Sequence, residues 1–382
     1  MSYLLSIVVP TKNRYFYLKH LIHLIDGFNS NDIEFVIQDN SDDNTEILDF
    51  LAQNERKYVK YFYSTEKLTM SGNSDLAVSH STGEYVCFIG DDDGVCRNIV
   101  DCVKWMKEKN IDAVNSVGAY YYWGDYKKEK FKVDVSSKAF NELPHPSFKY
   151  ADPIVELKKL MRKGFENRGT IPVLYTGIVR REVLQQIYSI GGTYFPGGSP
   201  DMSNGVCLCF YVKKYAILNI PIIITGTSQK TGGGITDKKG NDLMSIKEVS
   251  FISQNVIDNW ESNIPPLWCG KFAWTDSGIK ALRYINRPDF ISNMNFDYMF
   301  ALFEVYYHKF NISFKYTPNK LKFIYYVITI FTTKVFGFLK RKYFNLSNTV
   351  LEGGIKDISE AEEFFMNQIK GIEFKDIIVK DR

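Results

Sequence analysis

The chain has 382 residues, enough for two domains or for one large domain with an appendage. Its net charge of +3, from 47 Lys and Arg against 44 Asp and Glu, gives no global attraction to nucleic acid. The six cysteines (Cys87, Cys96, Cys102, Cys207, Cys209, Cys269) form no CxxC pair, which argues against a thiol metal site and for reduced core thiols. Met1-Ser2-Tyr3 leads directly into an apolar run without the basic and apolar regions of a signal peptide, so a cytoplasmic location is expected.

Leu5 to Val9 is a short apolar run stopped by Pro10, the pattern of a buried strand. The loop Thr11-Lys12-Asn13-Arg14 follows. Leu18, Leu21, Ile22 and Ile25 then recur at helical spacing, with Gly27 where that helix should stop. Ile33 to Ile37 predicts a second strand, Gln38 to Asp43 a polar loop, Thr45 to Arg56 a second helix, Tyr58 to Tyr63 a third strand and Gly72 to Ser81 a third helix. Strands alternating with helices predict an α/β fold, a mostly parallel sheet covered on both faces. Ligands of such sheets bind beyond the carboxyl ends of the strands.

Gly83 to Gly94 is the centre of this pattern. Tyr85 to Ile89 reads as a buried strand and ends in Gly90 and three consecutive carboxylates, Asp91, Asp92 and Asp93. Three carboxylates at the end of a buried strand repel one another and lose solvation. A hard divalent cation, Mg²⁺ or Mn²⁺, would compensate them; an acidic turn after a core strand is the plainer alternative. The loops Thr11 to Arg14, Asp39 to Asp43 and Asp91 to Asp93 should open on one rim.

Further along, Ile99, Val103 and Met106 mark a helix, Asp112 to Val117 a strand, and Tyr120 to Trp123 an aromatic run suited to a strand core, with a stacking wall as the alternative. Asp152-Pro153 has the form of a helix N-cap followed by proline at the first helical position, and Gly164 that of a stop. Leu174 to Val179 predicts a strand, Arg181 to Ile190 a helix, Met202 to Lys213 another, and Ala216 to Thr225 an edge strand interrupted by Pro221. Thr231 to Asn241 has the composition of a lid or a loose surface loop. After residue 245 the pattern becomes helical, over Ile246 to Trp260, Lys271 to Tyr284 and Phe296 to His308. The expected division is therefore residues 1–245 and 246–382. Lys320 to Lys342 is apolar with basic flanks, and Lys334 interrupts it short of the roughly 20 apolar residues that a spanning helix needs. Two readings stay open for it: a helix lying on an anionic membrane surface, or a buried helix packed on the catalytic domain.

Four stretches, in order, resemble the glycosyltransferase family 2 of GT-A fold across about residues 1–230. They are Ser6 to Arg14, Gln38 to Thr45, the run from Asn73 through Gly83-Glu84-Tyr85 to Gly90-Asp91-Asp92-Asp93, and Arg180 to Leu184 followed by Gly191-Gly192 and Ser199-Pro200-Asp201. The resemblance implies a GT-A-type sheet with a helical C-terminal region, and inverting transfer of a sugar from a nucleoside-diphosphate donor, UDP favoured, to a saccharide acceptor. Three features depart from the family pattern: Gly90 stands where many relatives carry Asp, Ser74-Asp75 where relatives often have Arg-Asn, and Pro200-Asp201 replaces a Glu-Asp pair.

By this resemblance Pro10, Thr11, Asn13, Arg14, Asp39, Asn73, Asp91 and Asp92 are the expected donor-binding residues. Asp93 is the first choice for the metal and Asp92 the second, with Asp91 near the ribose. Asp201 is the expected general base, although a carboxylate at a helix start also serves as a cap. The acidic motif and the basic-flanked helix together suggest a lipid-linked saccharide acceptor in bacterial surface polysaccharide assembly, on the inner face of the cell membrane. A sugar-phosphate nucleotidyltransferase is the second reading, but Pro10 to Arg14 lacks the glycine-rich loop such enzymes use. A nucleotide-sugar-binding scaffold without turnover is the third.

Overall fold

A computed structural model describes residues 3–126, 132–136, 145–230, 243–344 and 349–380. The expected lid, Thr231 to Asn241, lies outside the described residues. The strands are β1 (Leu5–Thr11), β2 (Ile33–Asp39), β3 (Val59–Tyr63), β4 (Tyr85–Phe88), β5 (Gly94–Val95), β6 (Ala113–Ser116), β7 (Ala119–Tyr122), β8 (Lys132–Ser136), β9 (Ser147–Ala151), β10 (Gly177–Arg180), β11 (Tyr215–Leu218), β12 (Ile223–Thr227), β13 (Met244–Ser245), β14 (Leu267–Trp268), β15 (Thr349–Gly353) and β16 (Ile378–Val379). The helices are α1 (Tyr15–Asp26), α2 (Thr45–Ala52), α3 (Met70–Ser79), α4 (Ile99–Glu108), α5 (Pro153–Arg162), α6 (Arg181–Gly191), α7 (Pro200–Tyr211), α8 (Gln254–Asp258), α9 (Gly270–Tyr284), α10 (Phe296–Tyr307), α11 (Phe310–Tyr316), α12 (Lys320–Phe344) and α13 (Ile358–Gln368).

A nine-stranded mixed sheet in the order β16-β9-β11-β6-β10-β4-β1-β2-β3 forms the centre, with β3, β2, β1 and β4 parallel to one another. The two-residue period of its strands sends alternate side chains into two cores. Leu5, Ile7, Val9, Phe35, Tyr85 and Cys87 pack on one face, against α1, α4 and α13. Val8, Val36, Val86 and Phe88 pack on the other, with residues of α5, α7, α9 and α10. Both faces are thus covered, as the parallel strands require. A second sheet, β15-β8-β7-β12-β5, crosses the carboxyl end of β4 through β5 and β12.

Three expectations are corrected. Pro10 does not end the first strand, which runs on to Thr11. The β4 register against β1 stops at Val8↔Phe88, so beyond it β1 pairs only with β2, and an edge position tolerates a residue without an N–H. Ala216 to Thr225 is not one strand: its halves, β11 and β12, belong to different sheets, and the chain breaks across Pro221. Ile246 to Trp260 is not one helix; only a 3₁₀ turn at Ile246–Glu248 and the short α8 form there.

One core spans residue 245. Phe272, Phe300, Phe303 and Phe323 share a core with Val8 and Val36. The tail returns to the N-terminal half, where β15 pairs antiparallel with β8, β16 pairs parallel with β9, and Ile358 and Phe365 of α13 enter the core below α1.

Candidate active site

Where β1 and β4 diverge, the crevice is filled by the Gly90–Asp93 turn. All three carboxylates are buried, Asp91 and Asp92 at 2 % exposure and Asp93 at 0 %. Arg14, at the start of α1, reaches across. Its Nε lies 3.1 Å from Asp91 Oδ1 and its Nη2 2.6 Å from Asp92 Oδ2. Ser228 Oγ, just past β12, donates to Asp92 Oδ2 at 2.8 Å, and Thr11 Oγ1 donates to Asp91 Oδ2 at 2.6 Å. Asp93 is held differently: Gly90 N–H donates to its Oδ2 and Gly226 N–H to its Oδ1, both at 2.7 Å.

Burial pushes the Asp91 carboxyl up to about 7 against the pull of Arg14, and burial with the charge of Asp92 pushes Asp93 to about 7. Asp92 is raised as well, by burial first. For Arg14, burial favours loss of its proton, but Asp91 and Asp92 outweigh that and hold it charged. One guanidinium therefore pairs with two of three buried carboxylates, and a further cation would favour the ionised form of all three.

The turn is clamped from above. Trp123 Nε1 donates to the Asp92 carbonyl at 2.8 Å, and a Cβ on Gly226 would lie 1.6 Å from that same oxygen. Trp123, Gly226 and Ser228 were not singled out from the sequence as site residues. They lie on or just past β7 and β12, and nothing local tells that these strands cross the acidic turn. Tyr175, half-buried beside Asp93, was missed for the same reason.

The rim continues along β2 and α3. Asn13 adopts a left-handed conformation (φ 56°), which asparagine tolerates. Its N–H donates to Ser41 Oγ at 2.7 Å and its side-chain amide exchanges bonds with Asp42, so it ties the first loop to the second. Asn73 Nδ2 donates to the Thr11 carbonyl at 3.4 Å. Asp39, expected to hold the donor, is fully buried, accepting from Tyr15 Oη at 2.6 Å, Tyr61 Oη at 2.7 Å and Ser41 N–H at 2.8 Å. Its position is that of a structural anchor. The adjacent Gln38 keeps its Oε1 without a hydrogen-bond donor among the described residues, as does Asn73 Oδ1, both buried. Buried polar atoms normally find partners, so two orphans on one rim mark a place where a bound molecule would supply them.

A cleft of about 690 Å³ opens beside the turn, with Arg14 as the shared wall and Tyr17, Trp123, Asp125 and Lys230 among its other lining residues. Asp201 lies elsewhere, in the first turn of α7. Ser199 Oγ donates to its Oδ1 at 2.7 Å and Met202 N–H at 2.8 Å, while Ser199 itself caps no backbone N–H. The loop before it is tied to α3, where Ser71 Oγ donates to the Gly197 carbonyl at 2.7 Å, two residues from Asn73. Among the described residues, no hydrogen bond or ion pair joins Asp201 to Asp91, Asp92 or Asp93. Pro10 closes the rim at the end of β1, half-buried.

The divalent ion expected here was tested against these contacts. Among the described residues no group of three or more His, Cys, Asp and Glu side chains forms a ligand set. Mg²⁺ and Mn²⁺ sites that also bind phosphates need only one or two carboxylates, and a turn of three carboxylates with one guanidinium fits such an ion. Asp93 has both oxygens on main-chain N–H groups, which makes it the poorer ligand; Asp92, whose bonds are to the Arg14 and Ser228 side chains, is the better one.

Residues 6–168 match the family model described as Glycosyl transferase family 2. Two curated relatives are similar over parts of the same region. The GalNAc(5)-diNAcBac-PP-undecaprenol beta-1,3-glucosyltransferase of Campylobacter jejuni is 34 % identical over 91 residues, 23 % of this chain and 29 % of the relative. Glycosyltransferase GlyG of Streptococcus pneumoniae is 31 % identical over 129 residues, 33 % of this chain and 42 % of the relative. The chain thus spans less than half the length of the curated relatives it matches. Among solved structures, S. aureus TarS 1–349 in complex with UDP-GlcNAc gives a TM-score of 0.43 at 14 % identity, covering 74 % of this chain and 72 % of that one. A second structure of S. aureus TarS 1–349 gives a TM-score of 0.42 at 15 % identity, over 58 % and 60 % of the two chains. Residues 6–168 are a Glycosyl transferase family 2 domain.

Proposed function

We propose that the protein is an inverting glycosyltransferase that moves a sugar from a UDP-sugar to a saccharide acceptor. The observation that carries this reading is the buried Asp91–Asp93 turn, bridged by Arg14 at the divergence of β1 and β4, inside a family 2 domain. Thr11, Asn73, Gln38 and Asp91 receive the nucleoside; the orphaned oxygens of Asn73 and Gln38 support that assignment. Arg14 changes partner when the donor enters, giving up part of its hold on Asp92 to bind diphosphate oxygens. Asp92, with Asp93 behind it as the brace of the turn, is the carboxylate that would hold Mg²⁺ or Mn²⁺. When bound, that ion neutralises the charge that grows on the leaving diphosphate.

Inversion needs the acceptor hydroxyl to attack the anomeric carbon opposite the leaving group while losing its proton. Asp201 takes that proton at its carboxylate, a contribution typically of about 10²–10⁴-fold. Its Oδ1 carries both of the bonds to Ser199 and Met202, which hold the carboxylate in one position. The acceptor is a lipid-linked saccharide of bacterial surface-glycan assembly. The PP-undecaprenol acceptor in the name of the Campylobacter relative supports this.

The test is UDP release from a panel of UDP-sugars, with Mn²⁺ and with chelator. Release from one donor with Mn²⁺, abolished by chelator and by Asp92→Asn, is the expected result. Donors that bind but release equally with chelator would remove the metal from the account. Absence of both release and donor binding would overturn the transferase reading.

A further inference from the structure

The C-terminal helix α12 is 25 residues long, and its two sides differ in a way that the fold leaves unused. The inner side is occupied: Phe323 (0 % exposed) and Ile330 (7 %) pack into the core beside α10, and the Lys334 ammonium sits 3.3 Å from the centre of the Tyr306 ring. On the outer side, Leu321, Ile324, Ile328, Val335 and Leu339 follow at steps of three, four and seven residues, one stripe of a helix. Every one of them is exposed, Leu321 at 81 % and Ile328 at 58 %, and Phe336 beside them at 72 %. The stripe extends about 27 Å at 1.5 Å per residue. Soluble monomers rarely leave so long an apolar face in water.

The charge around the stripe says what covers it. No acidic residue stands between Glu304 and Glu352, while Lys320, Lys322, Lys340, Arg341 and Lys342 flank its two ends. Lys322 and Lys340 lie eighteen residues apart, five helical turns, on one border of the apolar stripe. An apolar face bordered by cations and free of carboxylates is complementary to an anionic lipid surface, where acyl chains take the stripe and phosphate headgroups the lysines. By length and composition α12 could cross a membrane. Its inner side is already bonded to the body through Phe323, Ile330 and Lys334, so a crossing would have to tear those contacts open.

We infer that α12 lies in the plane of an anionic membrane, its Leu321–Leu339 stripe sunk among the acyl chains and its inner side still seated on α10. The protein is then a peripheral enzyme whose docking element is fixed to the catalytic core through α10. This inference stands on the helix alone and does not depend on the reaction assigned above.

Co-sedimentation of the whole protein with vesicles tests it, using phosphatidylcholine alone and phosphatidylcholine with phosphatidylglycerol. The protein should bind the anionic vesicles and be released by raised salt. Lys322→Glu with Lys340→Glu should weaken binding by about tenfold or more, at roughly 1 kcal/mol per basic residue. Ile328→Glu with Phe336→Glu should abolish it while leaving the thermal melt in place. Failure of the wild-type protein to bind either vesicle overturns the inference, as does undiminished binding of the Ile328→Glu/Phe336→Glu variant. Analytical ultracentrifugation supplies the remaining arm: a dimer that this variant converts to monomer would assign the stripe to a second copy of the chain and overturn the membrane. A monomer in both supports it.

Discussion

Arg14 and Gly226 set the geometry of the acidic turn from opposite sides. Arg14 supplies the positive charge that makes burial of Asp91 and Asp92 tolerable, and Gly226 the absence of a side chain that lets β12 touch the Asp92 carbonyl. Gly226→Ala would bring a Cβ to 1.6 Å from a main-chain oxygen, which no rotamer change can relieve. Overpacking of this kind typically costs about 1–3 kcal/mol. The expected outcome is a lower urea midpoint together with loss of donor turnover, since the displaced strand also carries the Asp93 brace and leads to Ser228. An unchanged midpoint would show that β12 slides freely over the turn. At this scale the sequence announced the acidic residues and Arg14, because charge at the end of an apolar strand is a local signal. It could not show that Asp39 is held by Tyr15, Tyr61 and Ser41, and it passed over Gln38, whose unpaired oxygen only the packing reveals.

Among the elements, the tail is the part least expected to matter to the site. Glu362 of α13 is 0 % exposed and accepts Arg97 Nε at 2.9 Å, Nη2 at 2.6 Å and the Arg97 N–H at 2.9 Å. Arg97 follows β5 closely, and a Cβ on Gly94 of β5 would touch Ile358 of the same helix. Arg97→Ala leaves a buried carboxylate with only a main-chain partner. Breaking a fully buried pair costs about 3–5 kcal/mol, and the half-exposed guanidinium here reduces that to about 2 kcal/mol. Chemical denaturation should show this loss, and Glu362→Gln should be milder than Arg97→Ala. Equal stability of Arg97→Ala and the wild type would detach the tail from the fold. The alternation of strands and helices up to β4 was legible because each element carries its own period. The return of residues 349–379 was not, since the β15–β8 and β16–β9 pairings join segments some two hundred residues apart with no local signature. The same holds for β12: Pro221 showed a break, but not that the chain changes sheets there.

For the molecule as a whole, the two cores place a rigid sheet between the α1 side, closed by the tail, and the α7–α10 side, on which α12 is seated. The acidic rim lies at the strand ends between them, so the α12 stripe proposed to meet a membrane and the Asp91–Asp93 turn proposed to bind a nucleotide belong to one packed body. The central claim is that this acidic rim binds a nucleoside diphosphate through a divalent ion. Calorimetric titration of UDP into the protein with Mn²⁺, beside Asp92→Asn and Arg14→Ala, tests it most directly. The account predicts Mn²⁺-dependent binding to the wild-type protein, lost in Asp92→Asn and weakened at least tenfold in Arg14→Ala, about 1.4 kcal/mol. Binding that survives Asp92→Asn with its Mn²⁺ dependence intact, or no UDP binding to the wild-type protein, would contradict it.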